Sequence, residues 1–355
     1  MVSVSRLEST TRTVGKDFIG FLIVMSGINT AVNRLLNDFG LRDFQLERIR
    51  AGRNSRVWRV DSYAGVSYII KEYFRHPSDP RDRLSTEYEF LAFLQSQGVS
   101  SVPLPLSQDK KAQAALYSYL PGDPVKSIQP YHIQQAAQFI QRVNQARWAA
   151  LTLPPASEAC FSLEEHLQRV QERLKRLQSA LGELSDPWQR AAHHLLTHQV
   201  DPTYQQVAQR LRSSLSAATL THSLEQHQRI LSPSDFGFHN MLEMDGILSF
   251  LDFEYAGWDD PAKLICDFAS QPQCPVSSTQ SELFGVQLGE WFPEAQERAN
   301  LLLPLHRLKW CCILLNEFQS HNRQRRYHAG DSQAERLETQ LHKAQSYFDQ
   351  HCQLD

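Results

Sequence analysis

The segment from Ile230 to Phe268, ILSPSDFGFHNMLEMDGILSFLDFEYAGWDDPAKLICDF, constrains this chain more than any other. Two short apolar runs, Met241 to Met244 and Ile247 to Leu251, flank Asp245-Gly246. That dipeptide is the strongest short hairpin signal, because the favoured tight turn needs positive φ at both central residues. A hairpin folds its outer ends together, so Asn240 and Asp252 are expected side by side at its open end. A two-residue turn opposes Asn240 to Leu251; a three-residue loop centred on Gly246 would remove that offset. With Asp235 five residues before Asn240, an amide oxygen and two carboxylates converge. Such a hard oxygen set suits Mg²⁺ holding nucleotide phosphates. Soft or nitrogen ligands are missing from the cluster, which argues against zinc.

The order Asp-x4-Asn, hairpin, then Asp-Phe-Glu-x-Ala-Gly-Trp-x-Asp-Pro resembles the catalytic core of the aminoglycoside phosphotransferase and choline kinase family, relatives of the protein kinases. The resemblance implies that Asp235 is the catalytic base, aligning or deprotonating an acceptor hydroxyl, and that Asn240 and Asp252 are metal ligands. Two departures stand out. The family commonly has His-Gly before the first Asp and His-Pro-Gly before the Asn, where this chain has Pro233-Ser234 and Phe236-Gly237-Phe238-His239. Past Asp260-Pro261, which reads as a helix N-cap with proline at the first helical position, the family's next Asp falls at Leu264; here the acid is Asp267.

Upstream, strand patterns at Phe44 to Arg50, Val57 to Asp61 and Ser67 to Phe74 enclose a small polar turn, Ala51 to Arg56, and a second turn at Ala64-Gly65. A glycine-containing turn between strands can lay backbone N–H groups over phosphates. Gly52, Asn54 and Val60 are similar in order to the family's nucleotide loop, and the Ser55 hydroxyl is expected to be available to a phosphate. Lys71 stands in the third strand. The next segment, Asp82 to Gln97, has a helical period in Leu84, Tyr88, Leu91 and Leu94. The resemblance implies that Lys71 pairs with Glu87 on this helix and meets the α- and β-phosphates; Glu89 is the competing choice. The apolar run Ala114 to Leu120 reads as a strand stopped by Pro121-Gly122-Asp123-Pro124, which continues neither sheet nor helix. In the resembling kinases this is the hinge, where backbone groups near Ser118 and Tyr119 contact the adenine, so that ATP and GTP are both open.

The chain then turns helical, at Ile133 to Trp148, Leu163 to Leu184, Pro187 to His198 and Tyr204 to Ala217, and again at Leu301 to Phe318 and Glu335 to Phe348. Arg169, Arg173, Lys175 and Arg176 cluster on one of these helices. They could attract an anionic substrate, but a solvated helical face is the simpler expectation.

With 355 residues, a net charge of −3 and no long run of Lys and Arg, nucleic acid is not an expected partner. The apolar run Phe18 to Met25 is too short to cross a bilayer, which needs ~20 residues, and lacks a small-x-small cleavage site. No membrane partner is expected, and the location expected is cytoplasmic. Ser26 to Phe39 reads as an opening helix, so that Met25 is the expected native start. The six cysteines form no metal-binding spacing and are expected to be reduced. The expected organisation is an extension at 1–28, a nucleotide-binding lobe at 29–120 and a catalytic and substrate lobe at 121–355. The fold class is α+β: a two-lobed, protein-kinase-like fold with a small mixed sheet and a larger helical lobe. The implied activity is Mg²⁺-dependent transfer of the γ-phosphoryl group of ATP to a small-molecule hydroxyl, on a sugar, amino sugar or amino alcohol. A catalytically silent nucleotide-binding or scaffold protein is the alternative from another class. A protein kinase is disfavoured, because no Ala-Pro-Glu run follows Asp252. The acceptor and the oligomeric state are left open.

Overall fold

A computed structural model describes residues 30–49, 55–77, 79–181, 186–319 and 334–353. The first element, α1 (Thr30–Asp38), leads into β1 (Phe44–Ile49), β2 (Ser55–Ser62) and β3 (Ser67–Tyr73); then come α2 (Arg83–Ser96), β4 (Pro105–Asp109) and β5 (Ala114–Ser118). The five strands form one sheet in the order β1-β2-β3-β5-β4, and every neighbouring pair is antiparallel. The mixed sheet expected from the sequence is therefore corrected to an antiparallel one. The crossover through α2 does leave β4 parallel to β3, but β5 lies between them, so no parallel ladder forms.

Strand alternation decides which side chains reach the functional side of this sheet. Ile70, Leu116 and Trp58 join Val32, Leu35 and Leu36 of α1 in a small core on one face. On the other face Tyr73, Ala115 and Tyr117 pack with Leu84, Phe90, Leu91 and Leu94 of α2, in a core that continues through the helical lobe. Lys71 follows Ile70 and so points toward α2. The α2 helix is capped by Asp82, whose carboxylate accepts from the Ser85 N–H at 3.1 Å.

Beyond β5 the chain makes a two-residue strand, β6 (Asp123–Pro124), which pairs with β8 (Met241–Met244). The Pro121-Gly122-Asp123-Pro124 run therefore does enter a sheet, contrary to the sequence reading. It sits at an edge, where the N–H that proline lacks is not needed. Helices α3 (Pro130–Gln145), α4 (Leu163–Ala180), α5 (Pro187–Leu195), α6 (Asp201–Ser214) and α7 (Ala217–Thr221) follow, with a π-helical turn at Leu196–Val200 joining α5 to α6. Then β7 (Ile230–Ser232), β8, β9 (Ile247–Phe250) and β10 (Gly257–Asp259) lead to α8 (Pro261–Ser270), α9 (Ser278–Gly289), α10 (Ala295–Leu314) and α11 (Ala334–His351). Helix α9 had no counterpart in the sequence reading. Its apolar residues are spread round the helix rather than gathered in one stripe, and it packs on α3, α8 and α10. The proposed start at Met25 lies outside the described residues.

Helix α10 packs on α8, α4 and α11, and a buried polar relay ties three of these together. His166 Nε2 lies 3.1 Å from Asp260 Oδ2, His166 Nδ1 lies 3.1 Å from His306 Nε2, and His306 Nδ1 lies 3.2 Å from Asp267 Oδ1. The two carboxylates can only accept, so His166 Nε2 and His306 Nδ1 both carry protons. The contact between the rings needs one more proton, carried by one ring or the other. The pKa directions assign it to His166, which makes His306 neutral. Burial opposes charge on His166, but the Cys160 thiol and the Asp260 carboxylate outweigh it and raise His166 to about 9. Burial and then Lys309 depress His306 to about 3.

Because the folded pKa of His166 is raised, its stabilisation is complete below the unfolded value of ~6.5 and is lost as pH rises through about 9. Urea unfolding between pH 6.5 and 9 should show an alkaline loss of at most about 3 kcal/mol, and His166→Gln should flatten it. An unchanged slope in the variant would reject this assignment.

Candidate active site

The Ile230–Phe268 segment is held from three sides. Asn144 of α3, fully buried, accepts from the Leu231 N–H at 2.8 Å and donates to the Leu231 carbonyl at 3.0 Å, clamping β7. Strand β10 pairs antiparallel with β7. Gly257 in it approaches the 154–156 backbone so closely that a Cβ would lie 2.4 Å from the Pro154 carbonyl oxygen, and its φ is +157°. After β7, Ser234 adopts a φ of +69°. Phe236 and Phe238 then turn inward, stacking among Phe139, Phe250 and Phe268. The alternation leaves Asp235 and His239 lining a cleft.

The hairpin settles the register left open by the sequence. Met241 pairs with Phe250 and Met244 with Ile247, so the turn is the two-residue Asp245-Gly246, with φ of +53° and +77°. Asn240 accepts from the Leu251 N–H at 2.9 Å, opposing Leu251 rather than Asp252. The offset is absorbed at Asp252 itself, which has a φ of +66°. A non-glycine residue held there costs on the order of 1–3 kcal/mol and persists only where its surroundings demand it. Here the left-handed turn brings the carboxylate back to the strand lysine.

Lys71 Nζ donates to Glu87 Oε2 at 2.7 Å and to Asp252 Oδ1 at 2.5 Å, with Glu254 Oε2 at 3.6 Å. Between the candidates on α2, the structure chooses Glu87; Glu89 is exposed. Glu87 also accepts from the Tyr73 hydroxyl at 2.6 Å and from the Phe253 N–H at 3.2 Å, so it joins β3, α2 and the segment after the hairpin. Burial works against the Lys71 charge, but Asp252, Glu87 and Glu254 outweigh it and hold the ammonium well above its usual pKa. Burial also raises Asp252; Lys71 opposes that rise, while Glu254 and Glu87 add to it. The Asp252 side chain stays 35% exposed on its cleft side. Three carboxylates around one ammonium leave an excess of negative charge open to a cation.

The remaining sequence candidates are placed unevenly. Ser55 is buried and its hydroxyl donates to Glu254 Oε2 at 3.3 Å, so it is already engaged rather than free for a phosphate. Ser118 donates its N–H to the Leu104 carbonyl at 3.0 Å, and its hydroxyl accepts from the Leu104 N–H at 2.8 Å. The Ser118 backbone donor expected at the adenine is thus committed to the strand edge. Tyr119 follows it with the Arg59 guanidinium over its ring at 4.6 Å. Gly52 and Asn54 lie outside the described residues.

Asp235 lies five residues from Asn240, whose Nδ2 donates to the Asp235 carbonyl at 3.0 Å. That leaves Asn240 Oδ1 as the amide's free acceptor. Asp235 Oδ1 is buried with no aligned hydrogen bond, although His239 Nε2 is 3.2 Å away. The Asn240 amide oxygen and the Asp252 carboxylate form a donor pair that fits a hard divalent ion, in the cleft that Asp235 also lines. Sequence reasoning gave no role to His239, Tyr73 or Arg83. His239 was visible inside the Asp-x4-Asn loop; Arg83, which reaches Asp79 at 2.6 Å and Glu254 at 3.7 Å, carried no local signal. Asp260 is a cap, accepting from the Ala262 N–H at 2.8 Å. Asp267 is tied to Lys309, His306 and the Trp310 N–H.

The cleft has a volume of about 1250 Å³ and runs from Asp235, Asn240 and Asp252 to α4, α8, α10 and α11. Comparison with solved structures shows where a similar fold recurs. The Plasmodium vivax ethanolamine kinase aligns with a TM-score of 0.57 at 12% identity, over 86% of this chain and 82% of that one. The macrolide 2′-phosphotransferase of Brachybacterium faecium aligns with a TM-score of 0.54 at 16% identity, over 86% and 100%. A spectinomycin phosphotransferase in complex with ADP and spectinomycin gives 0.54 at 12% identity, over 86% and 93%. At these identities the likeness is one of fold. No curated protein sequence matches the chain. The family model described as phosphotransferase enzyme family matches residues 45–271, spanning Lys71, Glu87, Asp235, Asn240 and Asp252, and the chain belongs to that family.

Proposed function

We propose that the protein is a small-molecule kinase that moves the γ-phosphoryl group of ATP to an acceptor hydroxyl. The observation that carries this reading is the convergence of Lys71, tethered by Glu87, with Asp252 at the mouth of a cleft that also holds Asp235 and Asn240. Structures resembling this one include an enzyme bound to ADP, which supports an adenine nucleotide.

Lys71, tethered by Glu87, would contact the nucleotide phosphates. Asn240 Oδ1 and the Asp252 carboxylate would hold Mg²⁺, which neutralises phosphate charge during transfer. Asp235 aligns the acceptor hydroxyl and takes its proton as the oxygen bonds to the γ-phosphorus and the bridging bond to ADP breaks. Positioning and electrostatic stabilisation account for most of the rate in such transfers.

The test is thermal unfolding with and without ATP and Mg²⁺. A ligand of the folded state at 100 times its Kd adds about 2.7 kcal/mol, so the wild type should show a Mg²⁺-dependent rise that Asp252→Ala abolishes. No rise with millimolar ATP or GTP would instead favour the scaffold reading.

A further inference from the structure

We infer that the acceptor is an anion-bearing alcohol, a sugar or polyol carrying a carboxylate or phosphate, recognised by an arginine wall on α4; this rests on the kinase reading above. Arg169, Arg173 and Arg176 lie at spacings of four and three residues on one helix face, and all three line the cleft that holds Asp235. The sequence suggested a solvated face, but Arg173 is only 7% exposed.

Arg173 is built into the wall. It donates both from Nη2 to the Glu158 carboxylate and from Nη1 to Asn316 Oδ1 at 3.3 Å. Glu158 is itself held with a φ of +59°. Burial opposes ionisation of Glu158, but Arg173 and then Lys309 outweigh it and depress its carboxyl to about 2, so the pair stays charged. Among the described residues, Arg173 Nε, Arg169 Nε and Ser270 Oγ are enclosed polar atoms without a hydrogen-bond partner, on three side chains that line the cleft. An unsatisfied buried polar atom calls for a partner, and Ser270 and Arg173 are both more than nine-tenths buried.

The charge count points the same way. Apart from Asp235 and Asp252, the acids facing the cleft among the described residues are Asp79, Glu158 and Asp267. Each is matched by an ion-paired base, Arg81, Arg173 and Lys309 respectively. Lys263, paired with Asp259 at 2.6 Å, and Arg169, Arg176 and Lys343 face the cleft in addition. Among the described residues, the acid that Arg169 meets is the exposed Glu172, at 3.3 Å, and Arg176 lies 3.9 Å from a Glu158 that Arg173 already pairs with. A cationic amine on this wall would meet surplus positive charge, whereas a carboxylate or phosphate would be paired in forked geometry.

Unfolding midpoints measured at constant ionic strength without nucleotide test the inference. Gluconate and glucose 6-phosphate should raise the midpoint, while glucose and glucosamine should not; comparing the two acids distinguishes carboxylate from phosphate recognition. In the Arg169→Gln/Arg176→Gln double variant the affinity for both acids should fall about tenfold or more. These side chains are 38% and 53% exposed, so the variant should fold, and Lys343→Gln gives a second readout on another helix. A larger shift from glucosamine, no shift from either acid, or full affinity retained in both variants would overturn the inference. In the last case the anions would be sitting at the nucleotide phosphate site. The Mg²⁺-ATP shift is read separately: its loss with the acid shifts intact rejects the kinase reading and leaves the anion site standing.

Discussion

Asp235→Asn should lower the turnover number by about 10²–10⁴, the range that general acid–base groups supply, while leaving the Mg²⁺-ATP unfolding shift in place. The substitution keeps the shape of the side chain and removes the negative charge and proton-accepting capacity of a carboxylate that lines the cleft. The nucleotide-side contacts, Lys71 to Glu87 and to Asp252, do not pass through Asp235. ADP release and calorimetric nucleotide binding should therefore separate. If turnover stays within a factor of a few of wild type, Asp235 is not the group that aligns the acceptor. If binding is lost together with turnover, its role is in the nucleotide site instead.

Asp267→Ala should destabilise the fold by about 3–5 kcal/mol, the usual result of removing one member of a buried ion pair. Asp267 is 4% exposed. It accepts from Lys309 Nζ, His306 and Trp310 Nε1, and Lys263 Nζ lies 3.6 Å away. Burial opposes its charge, but Lys309 and His306 outweigh that and hold the carboxyl well below its usual range. Alanine would strand the Lys309 charge in the interior. The urea midpoint should fall with little change in slope. Asp267→Leu combined with Lys309→Met should recover much of the loss, because an apolar pair of similar volume leaves no uncompensated charge. A single variant as stable as the wild type would show that the pair is relaxed by water.

Local signals carried much of the site. The Asp245-Gly246 turn, the Asp260-Pro261 cap and the strand position of Lys71 are each written within a few residues, because turn dihedrals, capping and pleat alternation act over that range. Choosing Glu87 over Glu89 needed more than helical period, since both are polar positions of one helix; it took the family order, and the contact itself depends on how α2 packs on the sheet. The Asn240 register was legible as two alternatives, and the left-handed Asp252 that reconciles them with a shared site was not.

What the sequence determined by itself is most of the elements and the side chains of the Ile230–Phe268 segment: the hairpin, the capped helix, the cluster of hard oxygen atoms and the membership of a two-lobed class. The tertiary structure alone decided that the sheet is wholly antiparallel, that Ser55 and the Ser118 N–H are already engaged, that His166 and His306 share protons between Asp260 and Asp267, and that the arginines of α4 face the cleft. The physical reason is one of range. Periodicity shows that a helix face is polar, but whether that face meets water or a partner depends on residues more than a hundred positions away, as with His166 and His306, and their approach is set by packing that no local pattern encodes.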